Sequence, residues 1–198
     1  MSDGTHLDPY TSVSGDNLTS TMPDGSDELL ALALQSRREN RLADARRYLI
    51  EAVNRCREGE ARTDLAKALT RLGQIERDVH HSDAALRSYE EAAAIYRAEG
   101  DALRLAHTVR HVGDIQQDDG HPELAEPCYR EALAIYRSHA KTPPLDLANA
   151  IRGLAILKGE AGEAAEARLL WEEARDLYTA VNVKAGVDES ERRLALLG

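Results

Sequence analysis

From Ser26 onward the apolar residues recur at steps of three and four, the spacing of an amphipathic helix, and the pattern returns after a nearly constant interval. The stretches ADARRYLIEAVNRCRE from Ala43, DAALRSYEEAAAIYRA from Asp83, ELAEPCYREALAIYRS from Glu123 and AAEARLLWEEARDLYT from Ala165 superpose without gaps. Ala45, Ala85, Ala125 and Ala167 coincide; four residues on stand Leu49, Tyr89, Tyr129 and Trp171, and three further Ala52, Ala92, Ala132 and Ala174. Cys56, Tyr96, Tyr136 and Tyr178 continue the same stripe. Offsets of four and seven share one helical face, so each copy is a helix with a small, large, small, large face. The small residues let a neighbouring helix come close, and the large ones fill the space between. The steps are 40, 40 and 42 residues.

Upstream of each copy lies a second helical pattern: DELLALALQSRR, TDLAKALTRLGQIERD, LRLAHTVRHVGDIQQD and LDLANAIRGLAILKGE. Each carries a small residue at a matched place, Ala33, Gly73, Gly113 and Ala155. A glycine inside a helix costs about 1 kcal/mol against alanine, so its presence there points to close packing. Turn signals separate the paired helices at Asn40, His80 to Asp83, Asp119-Gly120-His121-Pro122 and Ala161-Gly162. The chain is therefore expected to be all-α, with four helix hairpins at about 26–58, 62–98, 101–138 and 144–180 and a capping helix over 187–198 whose Glu189, Arg192 and Arg193 face outward. Residues 1–25, rich in Ser, Thr, Asp, Gly and Pro, offer too little apolar surface to offset the entropy of ordering and are expected to be a disordered tail.

The small residue of the first helix, the turn glycines Gly120 and Gly162, and the Ala, Tyr, Ala series of the second helix resemble the tetratricopeptide repeat. The resemblance covers about residues 26–198 and is strongest where LGQ and VGD precede SYEEAAAIY and CYREALAIY. The step of about 40 residues is longer than the family's usual 34 and is similar to the elongated repeats of kinesin light chains. The resemblance implies a right-handed α-solenoid of antiparallel helix pairs, a superhelix whose first helices line a concave groove. It also implies a scaffold or adaptor that binds a peptide or a partner protein.

Composition agrees with an all-helical, non-catalytic chain. Aromatics are 4% of residues, with no Phe, so the core is Ala and Leu between helices. The net charge of −10 argues against nucleic acid as a partner. No apolar run approaches the roughly 20 residues of a membrane span, and no signal peptide opens the chain. Cys56 and Cys128 form neither a CxxC pair nor a disulfide framework, which points to a cytoplasmic setting. No phosphate loop, nucleophile elbow or HExxH is present, so neither an enzymatic activity nor a cofactor is expected.

The groove is where partner chemistry is expected. The resemblance places Lys67, Thr70, Arg71, Gln74 and Arg77 of the second repeat on the open face, with His107, Arg110, His111, Asp114 and Gln117 of the third and Asn149, Arg152 and Ile156 of the fourth. Asp27, Leu30, Leu34 and Arg37 extend it into the first repeat. A basic stripe in an acidic chain points to an acidic peptide, or a chain end with its carboxylate, held by Lys67, Arg71, Arg110 and Arg152, with Gln74, His107, His111, Asp114 and Asn149 beside them. These charges have a plainer use as well, in pairs with Asp64, Asp101 or Asp146. A different function class rests on His107, His111 and Asp114, which fall at offsets of zero, four and seven and so present three potential metal or small-ligand donors on one face. Apolar stripes at the solenoid ends make self-association a third expectation.

Overall fold

The computed structural model describes residues 25–198; apart from Gly25, the segment expected to be a disordered tail lies outside them. The described residues form nine α-helices: α1 (Ser26–Arg38), α2 (Leu42–Glu58), α3 (Arg62–Asp78), α4 (Ser82–Glu99), α5 (Ala102–Asp118), α6 (Pro122–Ser138), α7 (Pro144–Glu160), α8 (Ala164–Ala180) and α9 (Lys184–Leu196). Each helix packs on the next, and α5 also touches α7 while α1 touches α3. This is a solenoid of antiparallel hairpins in which the odd-numbered helices run parallel along one face.

The stripe of the second helices is the core. Ala45, Ala85, Ala125, Ala167, Ala52, Ala92, Ala132 and Ala174 are all 0% exposed, and Leu49, Tyr89, Tyr129 and Trp171 are no more than 1% exposed. Tyr96, Tyr136, Tyr178 and Cys56 are buried behind them. The rings need space that small residues on the odd helices supply. A Cβ on Gly73 would stand 2.9 Å from the Tyr89 ring, and one on Gly113 would stand 3.1 Å from Tyr129. Two glycines outside the matched series are tighter still: a Cβ at Gly153 would stand 2.4 Å from Tyr129, and one at Gly186 2.4 Å from Tyr178. Tyr129 thus lies between Gly113 of its own hairpin and Gly153 of the next.

The joints repeat as strictly as the helices. Residues with left-handed φ occur at Asn40, Glu60, His80, Gly100, Gly120, Gly162 and Asn182. At His80 the backbone N–H bonds back to Arg77 O at 2.9 Å, and the N–H of His81 to Glu76 O at 2.8 Å. The same pair of bonds recurs at the other six, each a Schellman closure that satisfies two orphan carbonyls of the preceding helix. Helix plus joint therefore makes a unit of 20 residues. The joint between α6 and α7 is different: His139 is extended, Thr142 Oγ1 donates to Tyr136 O at 2.7 Å, and Pro143 precedes α7. Its two extra residues account for the step of 42.

Two rows of polar contacts link successive hairpins. Arg57 to Glu91, Arg97 to Glu131 and Arg137 to Glu173, at 2.6, 2.7 and 2.7 Å, join each even helix to the next. Arg37 to Asp78 at 2.7 Å, Arg77 to Asp118 at 3.4 Å and Gln117 to Glu160 at 3.4 Å join the C-terminal ends of the odd helices. The capping helix departs from its expected outward display. Glu189 turns inward to make a two-bonded pair with Arg152 at 2.7 and 2.9 Å, and Arg193 lies over the Trp171 ring at 5.9 Å. No helix among the described residues is long and apolar enough to cross a membrane.

Candidate partner-binding groove

Because α3, α5 and α7 are parallel and in register, equivalent positions stand side by side across the groove. Lys67, His107 and Asn149 form one row; Thr70, Arg110 and Arg152 the next; Arg71, His111 and Gly153 the third; Gln74, Asp114 and Ile156 the fourth. The structure divides the candidate residues between two cavities. Lys67, Arg71, Gln74 and His107 line a cavity of about 430 Å³ together with Thr70, Tyr96, Leu103, Arg104, Thr108, Pro143 and Asp146. Arg110, Asp114, Asn149 and Arg152 line a second, of about 320 Å³, with Arg77, Gln117, Tyr129 and Glu160. Leu30, expected on the open face, is buried in the core.

Between the cavities lies a compact charged cluster. Arg110 Nη1 donates to Asp114 Oδ2 at 2.6 Å and its Nη2 reaches His111 Nε2 at 2.7 Å. His111 Nδ1 lies 3.2 Å from Asp114 Oδ2, and Arg77 Nη1 comes to 3.3 Å from the same oxygen. The Tyr129 hydroxyl lies 3.1 Å from Asp114 Oδ1 and 2.9 Å from Gln117 Oε1. A neutral imidazole fits this arrangement, one nitrogen accepting from Arg110 and the other donating to the carboxylate. The His111 ring stacks on Tyr89, centroids 5.1 Å apart at 13°, and meets His107 edge-on at 4.7 Å. Burial, reinforced by Arg110, lowers the His111 pKa to about 4. Burial and Arg110 lower His107 as well, opposed by Asp146 4.0 Å away. Asp114 is held far below the usual carboxylate range because His111, Arg110 and Arg77 outweigh its own burial.

This cluster removes the metal reading. Asp114 is saturated by cations and hydrogen bonds, and no group of three His, Cys, Asp or Glu among the described residues has an arrangement that would hold a metal ion. It also sorts the cations. Arg110 is 9% exposed and committed to Asp114, Arg152 to Glu189, and Lys67 to Asp64 at 2.8 Å. Asn149 Oδ1 accepts from the Tyr178 hydroxyl at 2.8 Å. Arg104 is paired with Asp101. Arg71 differs from all of these: it is half-buried, lines the larger cavity, and has no acidic partner among the described residues.

The sequence of residues 64–138 matches the tetratricopeptide repeat family. No curated protein matches the chain. Among solved structures the fold is similar to BtubC (BKLC) from P. vanneervenii, with a TM-score of 0.73 and 20% identity over 79% of this chain and 64% of that one. It is also similar to the apo form of RapI, with a TM-score of 0.75, 12% identity and coverage of 83% and 60%. Aspartyl phosphate phosphatase F from Bacillus subtilis gives a TM-score of 0.78 at 15% identity, with coverage of 87% and 45%. The chain spans less than two thirds of the length of each of these structures, and at such identities the likeness is one of fold. Residues 64–138 thus carry the tetratricopeptide repeat in sequence, and the hairpins on either side pack on the same small, large, small stripe.

Proposed function

We propose that the chain is a protein-interaction scaffold whose groove takes an acidic segment of a partner into the cavity lined by α3, α5 and α7, with Arg71 as the principal anchor. The observation that carries this reading is Arg71 itself, a groove cation with no acidic partner among the described residues in a chain of net charge −10. A guanidinium offers a forked donor set suited to a carboxylate, and Lys67 and Arg104 at the same cavity are already paired with Asp64 and Asp101, which leaves Arg71 as the anchor. Tyr96, Leu103 and Pro143 supply an apolar wall for side chains beside the acid. The arrangement binds and does not turn over.

The test is capture from native lysate by the wild-type chain, by Arg71→Glu, and by Arg87→Glu as a charge reversal outside this cavity, read by mass spectrometry. A partner retained by wild type and Arg87→Glu and lost with Arg71→Glu is the expected result. Capture unaffected by Arg71→Glu refutes the assignment. Arg110 is left unchanged, because reversing it would disrupt the buried cluster and confuse binding with folding.

A further inference from the structure

We propose that the cavity lined by α3, α5 and α7 selects a dipolar segment of its partner, one whose acidic side chain meets Arg71 and whose basic side chain, a few residues along, meets Asp146. The inference rests on the groove reading and sharpens it, since an acid alone is then only half of the ligand. The charges at the cavity fall into two sets. Lys67 is held by Asp64 at 2.8 Å, and Arg104 by Asp101. Two opposite charges remain: the Arg71 guanidinium, which no described acid neutralises, and the Asp146 carboxylate, whose side chain is 33% exposed. No lysine or arginine among the described residues pairs with Asp146. Its basic neighbour is His107, whose Nδ1 lies 4.0 Å away, beyond hydrogen-bonding reach, and burial with Arg110 holds that ring towards its neutral form.

Comparison along the array shows what Asp146 lacks. Three residues before the row of Lys67, His107 and Asn149 stand Asp64, Arg104 and Asp146. Asp64, in the first turn of α3, and Asp101, at the N-terminus of α5, each hold a cation three residues further on. Three residues after Asp146 comes Asn149, whose Oδ1 is taken by the Tyr178 hydroxyl. The helix dipole favours an acid in the first turn of α7 and leaves its side chain free to face a cation. An unpaired arginine and an unpaired aspartate in one cavity complement a segment carrying the reverse pair and oppose a segment carrying two acids.

The spacing sets the length of that segment. Arg71 lies two helical turns beyond Asp64, the α3 residue that matches Asp146, or about 10 Å further along the axis. The axes of α3 and α7 are two odd helices apart, about 20 Å. Both side chains reach into the cavity, which shortens the span between the charges to on the order of 10–15 Å, and extended chain covers this in about three to five residues. Tyr96, Leu103 and Pro143 line the same cavity and offer apolar contact to the side chains between the charges.

Three five-residue probes, acetylated and amidated so that only side chains carry charge, test the inference on the full-length chain. One has glutamate first and lysine last, the second has the reverse order, and the third has glutamate at both ends, with alanine and leucine between. Affinities come from amide chemical-shift titrations at low ionic strength. One dipolar probe should bind wild type about tenfold more tightly than the diacidic probe. Asp146→Asn should weaken that dipolar probe and strengthen the diacidic one, and Arg71→Gln should weaken both. The gain for the diacidic probe separates recognition from structure, because a loosened α7 would improve no binding. Diacidic binding as tight as either dipolar probe, yet still lost with Arg71→Gln, would overturn this inference and leave the groove reading standing. Binding of no probe, or binding indifferent to Arg71→Gln, would overturn both.

Discussion

Acidification should destabilise this protein through His111. The ring is neutral in the folded state because burial and the neighbouring Arg110 lower its pKa from the ordinary 6.5 to about 4, whereas in the unfolded chain it titrates normally. Between these values the unfolded state binds a proton that the folded state refuses, so the stabilisation is fully present above pH 6.5 and is lost as the pH falls towards 4. Each pH decade over that span costs about 1.4 kcal/mol, or about 3 kcal/mol in all. The side chain is 12% exposed, so solvent screening removes little of this. The groups facing the ring are His107, Arg110 and Asp114 on its own helix, Arg77 from α3 and Tyr89 from α4. Urea denaturation followed by far-UV circular dichroism at pH 7, 6, 5 and 4.5 gives the curve, with His111→Phe as the comparison that keeps a ring on Tyr89 and removes the titration. The wild type should lose stability more steeply than the variant across this range. Parallel curves would refute the linkage, since the remaining carboxylates titrate in both proteins.

Glycine substitutions test the packing. Gly153→Ala should destabilise by about 1–2 kcal/mol, because overpacking of about 1–3 kcal/mol against Tyr129 exceeds the helix propensity gained. Gly159→Ala, on the same helix with its nearest contact 4.0 Å away, should stabilise by up to about 1 kcal/mol; melting curves of the same sign for both would contradict this. The joints offer a second test. Glu60 and His80 hold left-handed φ without being glycine, so Glu60→Gly and His80→Gly should each raise stability by about 0.5–1 kcal/mol in urea titrations, and a fall at both sites would show that their side chains contribute more than the backbone costs.

The fold was legible because its packing code is local. Small and large residues at offsets of four and seven name a helix face without any knowledge of the partner helix, and 40 residues later the face appears again. Gly153 escaped because the repeat alignment matched Ala155 instead, and Gly186 because the capping helix was expected to begin at 187, whereas it begins at Lys184. The left-handed joint at His80 falls within the turn read from His80 to Asp83, whereas the one at Glu60 left no compositional trace. The groove cations posed a harder problem. Lys67, Arg71, Arg110 and Arg152 look equivalent as letters on an open face. Lys67 and Arg110 meet acids on their own helices, Asp64 and Asp114, whereas Arg152 meets Glu189, 37 residues away, and Arg71 meets none among the described residues. The Arg152 contact belongs to a junction between repeats, where sequence periodicity is silent.

The seven left-handed joints give the molecule a grammar as well as a shape. From Asn40 to Gly120 they fall every 20 residues, and a histidine follows the joint at both His80 and Gly120. Excising residues 81–120 would join His80 to His121 and restore the same local sequence at the splice. The excision would set Gly73 opposite Tyr129 in place of Tyr89, a glycine facing a tyrosine as before. Duplicating the same block would lengthen the array by one hairpin with no new kind of contact. Such a chain changes length in whole hairpins, and its reach can be altered by recombination at the joints while every interior surface keeps a complementary neighbour.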